Sequence, residues 1–255
     1  MAAKPRWVAK IIEALAVPEN KGKIVYQVAT VDSHNAPHVR TQVHRGFIFP
    51  KHALNLPLMV TSSDVRAPKV VQLLSNTAVE LAWWMEGSQD QFRISGKARV
   101  VAPPDHSLST VSGSETHSAV IAALNKGGEA EREDGSDGLD ATSRAFDWEK
   151  KRRDVFDDMK PGMKGTWVAP KAPGSPMASY DEPNSWRCTI PKWEEIKTDE
   201  ERKNYQIALG NFAMILIEPL EVDWVQLGEH PNRRTLFTRK DEQGGSSWQE
   251  TIVVP

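Results

Sequence analysis

Five stretches of this chain alternate apolar and polar residues at the strand period of two, and one helical-period stretch is set among them. The strands read as Ile24 to Val31, His38 to Phe49, Leu54 to Ser62, Ala78 to Trp84 and Gln91 to Val101. The helix reads as Asp64 to Leu74, with Asp64 as N-cap and Val70, Leu73 and Leu74 on its apolar side. Asp32-Ser-His-Asn-Ala-Pro37 and Pro50-Lys-His52 supply turns between the first three strands, and the polar turn Glu86 to Asp90 joins the last two. An order of strand, strand, strand, helix, strand, strand with turns this short predicts an antiparallel meander curled into a small β-barrel. The fold class expected is mainly β with peripheral helices.

Three short patterns lie within this region. In His38-Val-Arg-Thr-Gln-Val-His-Arg-Gly46 and in Gln91-Phe-Arg-Ile-Ser-Gly96, basic or amide side chains alternate, so that one set faces a ligand while its neighbours face the core. In Met59-Val-Thr-Ser-Ser-Asp-Val-Arg-Ala-Pro-Lys-Val70, hydroxyls and an Asp end a strand, and Arg66 and Lys69 fall in the first turn of the helix. Cations, hydroxyls and helix N–H donors are what a bound phosphate needs, so an anion cradle is expected here.

The rest of the chain narrows the class of protein. At 255 residues it is long enough for one well-buried domain, 1–255, with an acidic insertion at about 103–143 read as a mobile loop. A formal net charge of -2 gives no basic field for nucleic acid or a membrane surface. The lone Cys188 rules out an internal disulfide framework and suggests a reducing, cytoplasmic compartment. The basic start, with Lys4, Arg6 and Lys10 ahead of Glu13, has the composition of a mitochondrial presequence. Helical spacing of Trp7, Ile11, Ile12 and Leu15 favours a packed first helix instead. No apolar run approaches the ~20 residues of a membrane span. His34, His38, His44 and His52 have no Cys or carboxylate at ligand spacing, so no metal is expected. Further elements are a helix over Ala145 to Met159, a Pro-rich connection through Trp167 to Trp186, and strands at Asn211 to Ile217, Leu220 to Leu227, Arg234 to Arg239 and Trp248 to Val254.

Taken in order, these motifs resemble the pyridoxamine 5'-phosphate oxidase-like family of FMN-binding split barrels, and within it a branch carried by cyanobacterial and fungal genomes. The resemblance rests on the strand at Arg40, the stretch from Thr61 to Lys69, Trp83-Trp84 followed by Gln91-Phe-Arg-Ile-Ser-Gly96, and a closing Trp248 with Pro255. It implies a six-stranded antiparallel split barrel, FMN as cofactor, and a homodimer with the flavin at its interface. Arg40, Arg66 and Lys69, with the Ser62 and Ser63 hydroxyls, would hold the phosphate; Thr61 would also belong to the cofactor site, and Thr41, Gln42 and Val43 would run beside the flavin. Gln91 would meet the polar edge of the ring, and Trp248 corresponds to an aromatic that reaches the partner's flavin. Read without the family, Trp248 is core or interface packing.

The resemblance implies an FMN-dependent oxidoreductase acting on a small molecule. The authentic oxidases carry an Arg-x-His pair before the last hairpin and an Arg four residues beyond the terminal Trp. Here those positions read His230-Pro-Asn-Arg-Arg234 and Trp248-Gln-Glu-Thr-Ile252, so vitamin B6 phosphate is not the expected substrate. A non-catalytic flavin sensor or carrier, or the same fold around a deazaflavin or haem, are the other readings. No side chain stands out in the sequence as a general base.

Overall fold

The computed structural model describes residues 3–51, 53–108, 118, 120–122, 124, 130–131, 146–186, 188–242 and 245–255. Its elements in chain order are α1 (Arg6–Ala16), β1 (Val25–Val31), β2 (Pro37–Val43), β3 (Phe47–Pro50), β4 (Leu58–Asp64) and α2 (Pro68–Ser75). There follow β5 (Ala78–Met85), β6 (Asp90–Val101), the two-residue β7 (Ala130–Glu131), α3 (Trp148–Asp157) and α4 (Pro161–Lys164). α5 (Asp199–Asn211) leads into β8 (Phe212–Gln226), β9 (Arg233–Glu242) and β10 (Gly245–Ile252). The insertion expected at 103–143 falls mostly outside the described residues. Val120, Ile121 and Leu124 within it are buried in the core.

Sequence alternation becomes burial alternation: β5 buries every second residue, placing Trp83 in the core and leaving Trp84 40% exposed. The strands pair antiparallel in the order β2-β1-β5-β6-β8-β4-β3-β7, with β9 on β8 and β10 on β9. Six of these, β2-β1-β5-β6-β8-β4, curl until the two ends meet without forming a ladder. Where they meet, Arg45 N donates to Val60 O at 2.8 Å and the Thr61 hydroxyl donates to Val43 O at 2.8 Å. An antiparallel sheet that curls but does not close is the split barrel the sequence predicted.

β8 is buried on both faces for most of its length, which accounts for its near-continuous apolar sequence. Ala213, Ile215 and Ile217 join the barrel interior, with Tyr26, Trp83, Phe92 and Ile94. Phe212, Met214 and Leu216 join a second core under the outer helices, with Phe156, Trp167, Tyr205 and Leu209. Each such side chain removed from water contributes roughly 1.5 to 3 kcal/mol. The outer helices are thereby seated on β4 and β8, and the chain after α3 is brought to the end of β4.

Several elements differ from expectation for identifiable reasons. α2 begins at Pro68, four residues after Asp64, because the Asp64 carboxylate accepts from Arg66 N and holds a turn there. Ala67, preceding a proline, is extended, and Pro68 sits at the position in a helix where a missing N–H costs nothing. Asp64 is therefore not the cap. α1 buries Trp7, Val8, Ile11 and Ala14, leaving Ile12 exposed. The strand expected over His38 to Phe49 is interrupted at His44 to Gly46, where Gly46 has φ 107°. β8 runs through Pro219 as one strand because β6 bulges opposite it, between Ser95 and Gly96. α5 was not foreseen, although Thr198 and Glu201 form a reciprocal cap at its start.

Candidate functional site

At the split between β2 and β4 lies a cavity of about 290 Å³ lined by Thr41, Gln42, Val43, Arg45, Ser62, Ser63, Asp64, Lys69, Met163, Thr166, Trp167 and Pro173. Two strand ends, one helix start and the 161–173 segment thus converge on one opening. Six residues singled out in the sequence meet here: Thr41, Gln42, Val43, Ser62, Ser63 and Lys69.

Lys69 is the distinctive member. It stands one residue inside the start of α2, and among the described residues no carboxylate pairs with it. Burial, with the Arg40 charge nearby, brings its ammonium down to about 8. The Gln42 amide donates to Ser62 O at 2.9 Å and to Thr61 Oγ1 at 3.1 Å, which turns its oxygen onto Lys69 Nζ. One largely desolvated cation therefore borders the cavity against the Gln42 amide oxygen, with the charges of Arg40 and Asp64 nearby.

The other expected residues stand elsewhere. Thr61 is buried, tied to Val43, and does not line the cavity. Arg40 does not line this cavity, although its charge lies near Lys69: it donates to Thr30 Oγ1 at 2.5 Å, Gln72 Oε1 at 2.9 Å and His38 O at 2.9 Å, and burial lowers its affinity for a proton. Arg66 grips both oxygens of Asp64, at 2.9 and 2.7 Å, and donates its remaining arm to Ala169 O at 2.9 Å. Gln91 lies on the outer row of β6, paired with Trp84. Trp248 packs edge-on against Trp7, ring centroids 5.4 Å apart, and its indole N–H donates to Asn55 O.

Residues not singled out for this site from sequence also line it. Arg45 is half-buried, donates to Met163 Sδ at 2.8 Å and is held below its ordinary value by burial. It continues the alternation of Thr41 and Val43, a signal available in the sequence. Met163, Thr166, Trp167 and Pro173 come from a segment about a hundred residues away and carried no such signal.

A second cleft, of about 560 Å³, is bordered by Arg6, Lys10, Arg233, Arg234, Ile252 and Pro255 among others. Its cations are already matched: Arg6 with Glu250, Lys10 with Glu13, Arg233 with Glu229, Arg234 with both oxygens of Asp223. Arg187 and His52 lie outside the described residues. His38 bonds Asp32, and among the described residues no group of three or more His, Cys, Asp and Glu could hold a metal ion. No helix among them is long and apolar enough to cross a membrane.

Comparison with known proteins shows what part of this chain is similar to. Residues 4–102 match the FMN-binding domain of the pyridoxamine 5'-phosphate oxidase family. That stretch holds both cavity walls contributed by the barrel, and the resemblance read from the motifs is borne out. A pyridoxamine 5'-phosphate oxidase-related, FMN-binding protein from Nostoc punctiforme has a similar structure, with TM-score 0.67 and 20% identity over 100% of both chains. PhzG from Burkholderia lata, solved with tetrahydrophenazine-1-carboxylic acid, has TM-score 0.50 and 13% identity over 98% of this chain and 89% of its own. At such identities the likeness establishes the split-barrel fold. No curated protein matches the chain.

Proposed function

We propose that the cavity at the split of the barrel holds FMN and that the protein is an FMN-dependent oxidoreductase. The observation that carries this reading is Lys69: a partly buried ammonium without a carboxylate partner is costly unless an anion completes it. With the Ser62 and Ser63 hydroxyls beside it, Lys69 is suited to the terminal phosphate, while Thr41, Gln42 and Val43 border the path a ribityl chain would take. When bound, FMN supplies a ring that accepts or donates hydride. The protein's own residues bind and orient it and keep water from one face, where Trp167 and Met163 close the cavity.

Asp64, the one carboxylate lining the cavity among the described residues, has both oxygens bonded to Arg66. A cavity whose one such carboxylate is already engaged also suits a flavin carrier or sensor. Purified protein should be yellow, and mass spectrometry of the released small molecule should give FMN. A deazaflavin or haem in its place would sink the reading. Reduction of the bound flavin by NAD(P)H or an amine, followed by reoxidation in air, separates enzyme from carrier.

The substrate is proposed not to be a phosphorylated B6 vitamer. Arg233 and Arg234, nearest the positions where the oxidases hold that phosphate, already have carboxylate partners, and Ile252 stands where the oxidases carry their second Arg. Pyridoxamine 5'-phosphate supplied up to millimolar to FMN-loaded protein should give no saturable oxygen uptake. A micromolar Michaelis constant would refute this.

A further inference from the structure

The cavity has walls from the barrel, but its far side is a segment that belongs to the second half of the chain. That segment, residues 161–173, touches the β4 end at two places. The Trp167 indole N–H donates to Ser63 O at 3.0 Å, and Arg66 Nη1 donates to Ala169 O at 2.9 Å. Behind it, Asn211 Nδ2 donates to Trp167 O at 2.8 Å. Three of the five Arg66 N–H donors are engaged, Nε and Nη2 on Asp64 and Nη1 on Ala169. The hydrogen bonds to Asp64 also make the Arg66 guanidinium hold its proton more firmly than usual. The cavity lining includes Asp64 and Lys69 and does not include Arg66.

We propose that Arg66 is a positioning residue: braced on Asp64, it fastens the 161–173 segment across the cavity and does not itself carry the ligand's anion. The geometry divides the two cations of the Asp64-Val-Arg-Ala-Pro-Lys69 stretch by role. Lys69 meets the anion. Arg66 holds Trp167, Met163 and Pro173 where they shape the opposite wall. The ligand half of this statement rests on the flavin reading above; the fastening half does not.

Two measurements test it. In ligand-free full-length protein, hydrogen exchange followed by mass spectrometry should show faster exchange of peptides covering 161–173 in Arg66→Ala than in wild type. The β5 and β6 peptides should keep their protection, and Lys69→Ala should leave the segment as in wild type. Arg66→Lys, which keeps the charge beside Asp64 but lacks the planar fork, provides a second variant if Arg66→Ala does not fold, and should loosen the same segment. Unchanged exchange of 161–173 in a folded Arg66 variant would overturn the proposal.

The second measurement is binding of FMN and of riboflavin, which lacks the phosphate. Arg66→Ala should weaken both by the same factor, whereas Lys69→Ala should weaken FMN selectively, by about tenfold to a hundredfold. A loss in Arg66→Ala confined to FMN would show that Arg66 touches the phosphate and would equally overturn the proposal. If wild type bound neither flavin, the cofactor reading would fail while the exchange measurement still judged the fastening role.

Discussion

A single side chain, Lys69, links the chemistry of the cavity to pH. Its ammonium is brought from 10.5 to about 8, by burial first and by Arg40 second. Between those two values the unfolded chain binds a proton that the folded protein does not, so stability rises with pH across that window. Binding of an anion has the opposite trend, since it needs the charged form and loses it above about 8. FMN affinity should therefore fall as pH rises through this value while riboflavin affinity stays level, as read by quenching of flavin fluorescence. Lys69→Met should abolish the difference between the two ligands. An FMN affinity that is flat through this range would mean that the phosphate lies away from Lys69. Residue by residue, the sequence was informative about this cavity where alternation governs, as at Thr41, Val43 and Ser62. It was silent on neighbours: charge and spacing single out Arg40 and Arg66, but not that Thr30 and Gln72, or Asp64 and Ala169, accept hydrogen bonds from them.

Among the elements, the pairing of β6 with β8 carries a constraint that explains one motif glycine without reference to a ligand. A Cβ on Gly96 would lie 2.2 Å from Glu218 O, at the place where the register shifts to let Pro219 pass. Gly96→Ala must push the strands apart at their bulge, and overpacking of this kind costs about 1 to 3 kcal/mol. The urea midpoint should drop without a change in slope, and a midpoint equal to wild type would show that the bulge has room. The strands were legible because one face of each is buried, so period two is written into them. Helix starts were less so, because local hydrogen bonding decides them: the Asp64–Arg66 turn delays α2, while the cap at Thr198 and Glu201 was present in the sequence without a strong apolar stripe to announce α5. Pro219 read as a break between strands for want of any sign that β6 would bulge opposite it.

For the whole molecule, the outer face of the barrel sheet raises the question of a partner. Val39 is 66% exposed, Val25 40% and Trp84 40%, and they lie on the neighbouring strands β2, β1 and β5. Val43 pairs with Val25, Gln27 with Ala82, and Gln91 with Trp84, so continuing the register sets Val43, Val25, Trp84 and Gln91 in one outward row. At about 4.8 Å per strand, Gln91 is some 14 Å from Val43 across that row, too far for both to flank one ring within a single chain. An exposed apolar row that ends at the cavity is what a second copy of the chain would cover, and Gln91 would then face the flavin held by the partner. We propose a homodimer on this face. A carboxylate placed in the middle of such an interface is desolvated without a counter-charge, so Trp84→Glu should be monomeric by sedimentation at concentrations where wild type is dimeric. The same variant, still folded by circular dichroism, should bind FMN more weakly although Trp84 does not line the cavity of its own chain. A wild type that sediments as a monomer, or a monomeric Trp84→Glu with undiminished FMN affinity, would mean that the cavity is complete in one chain and that Gln91 has no part in it.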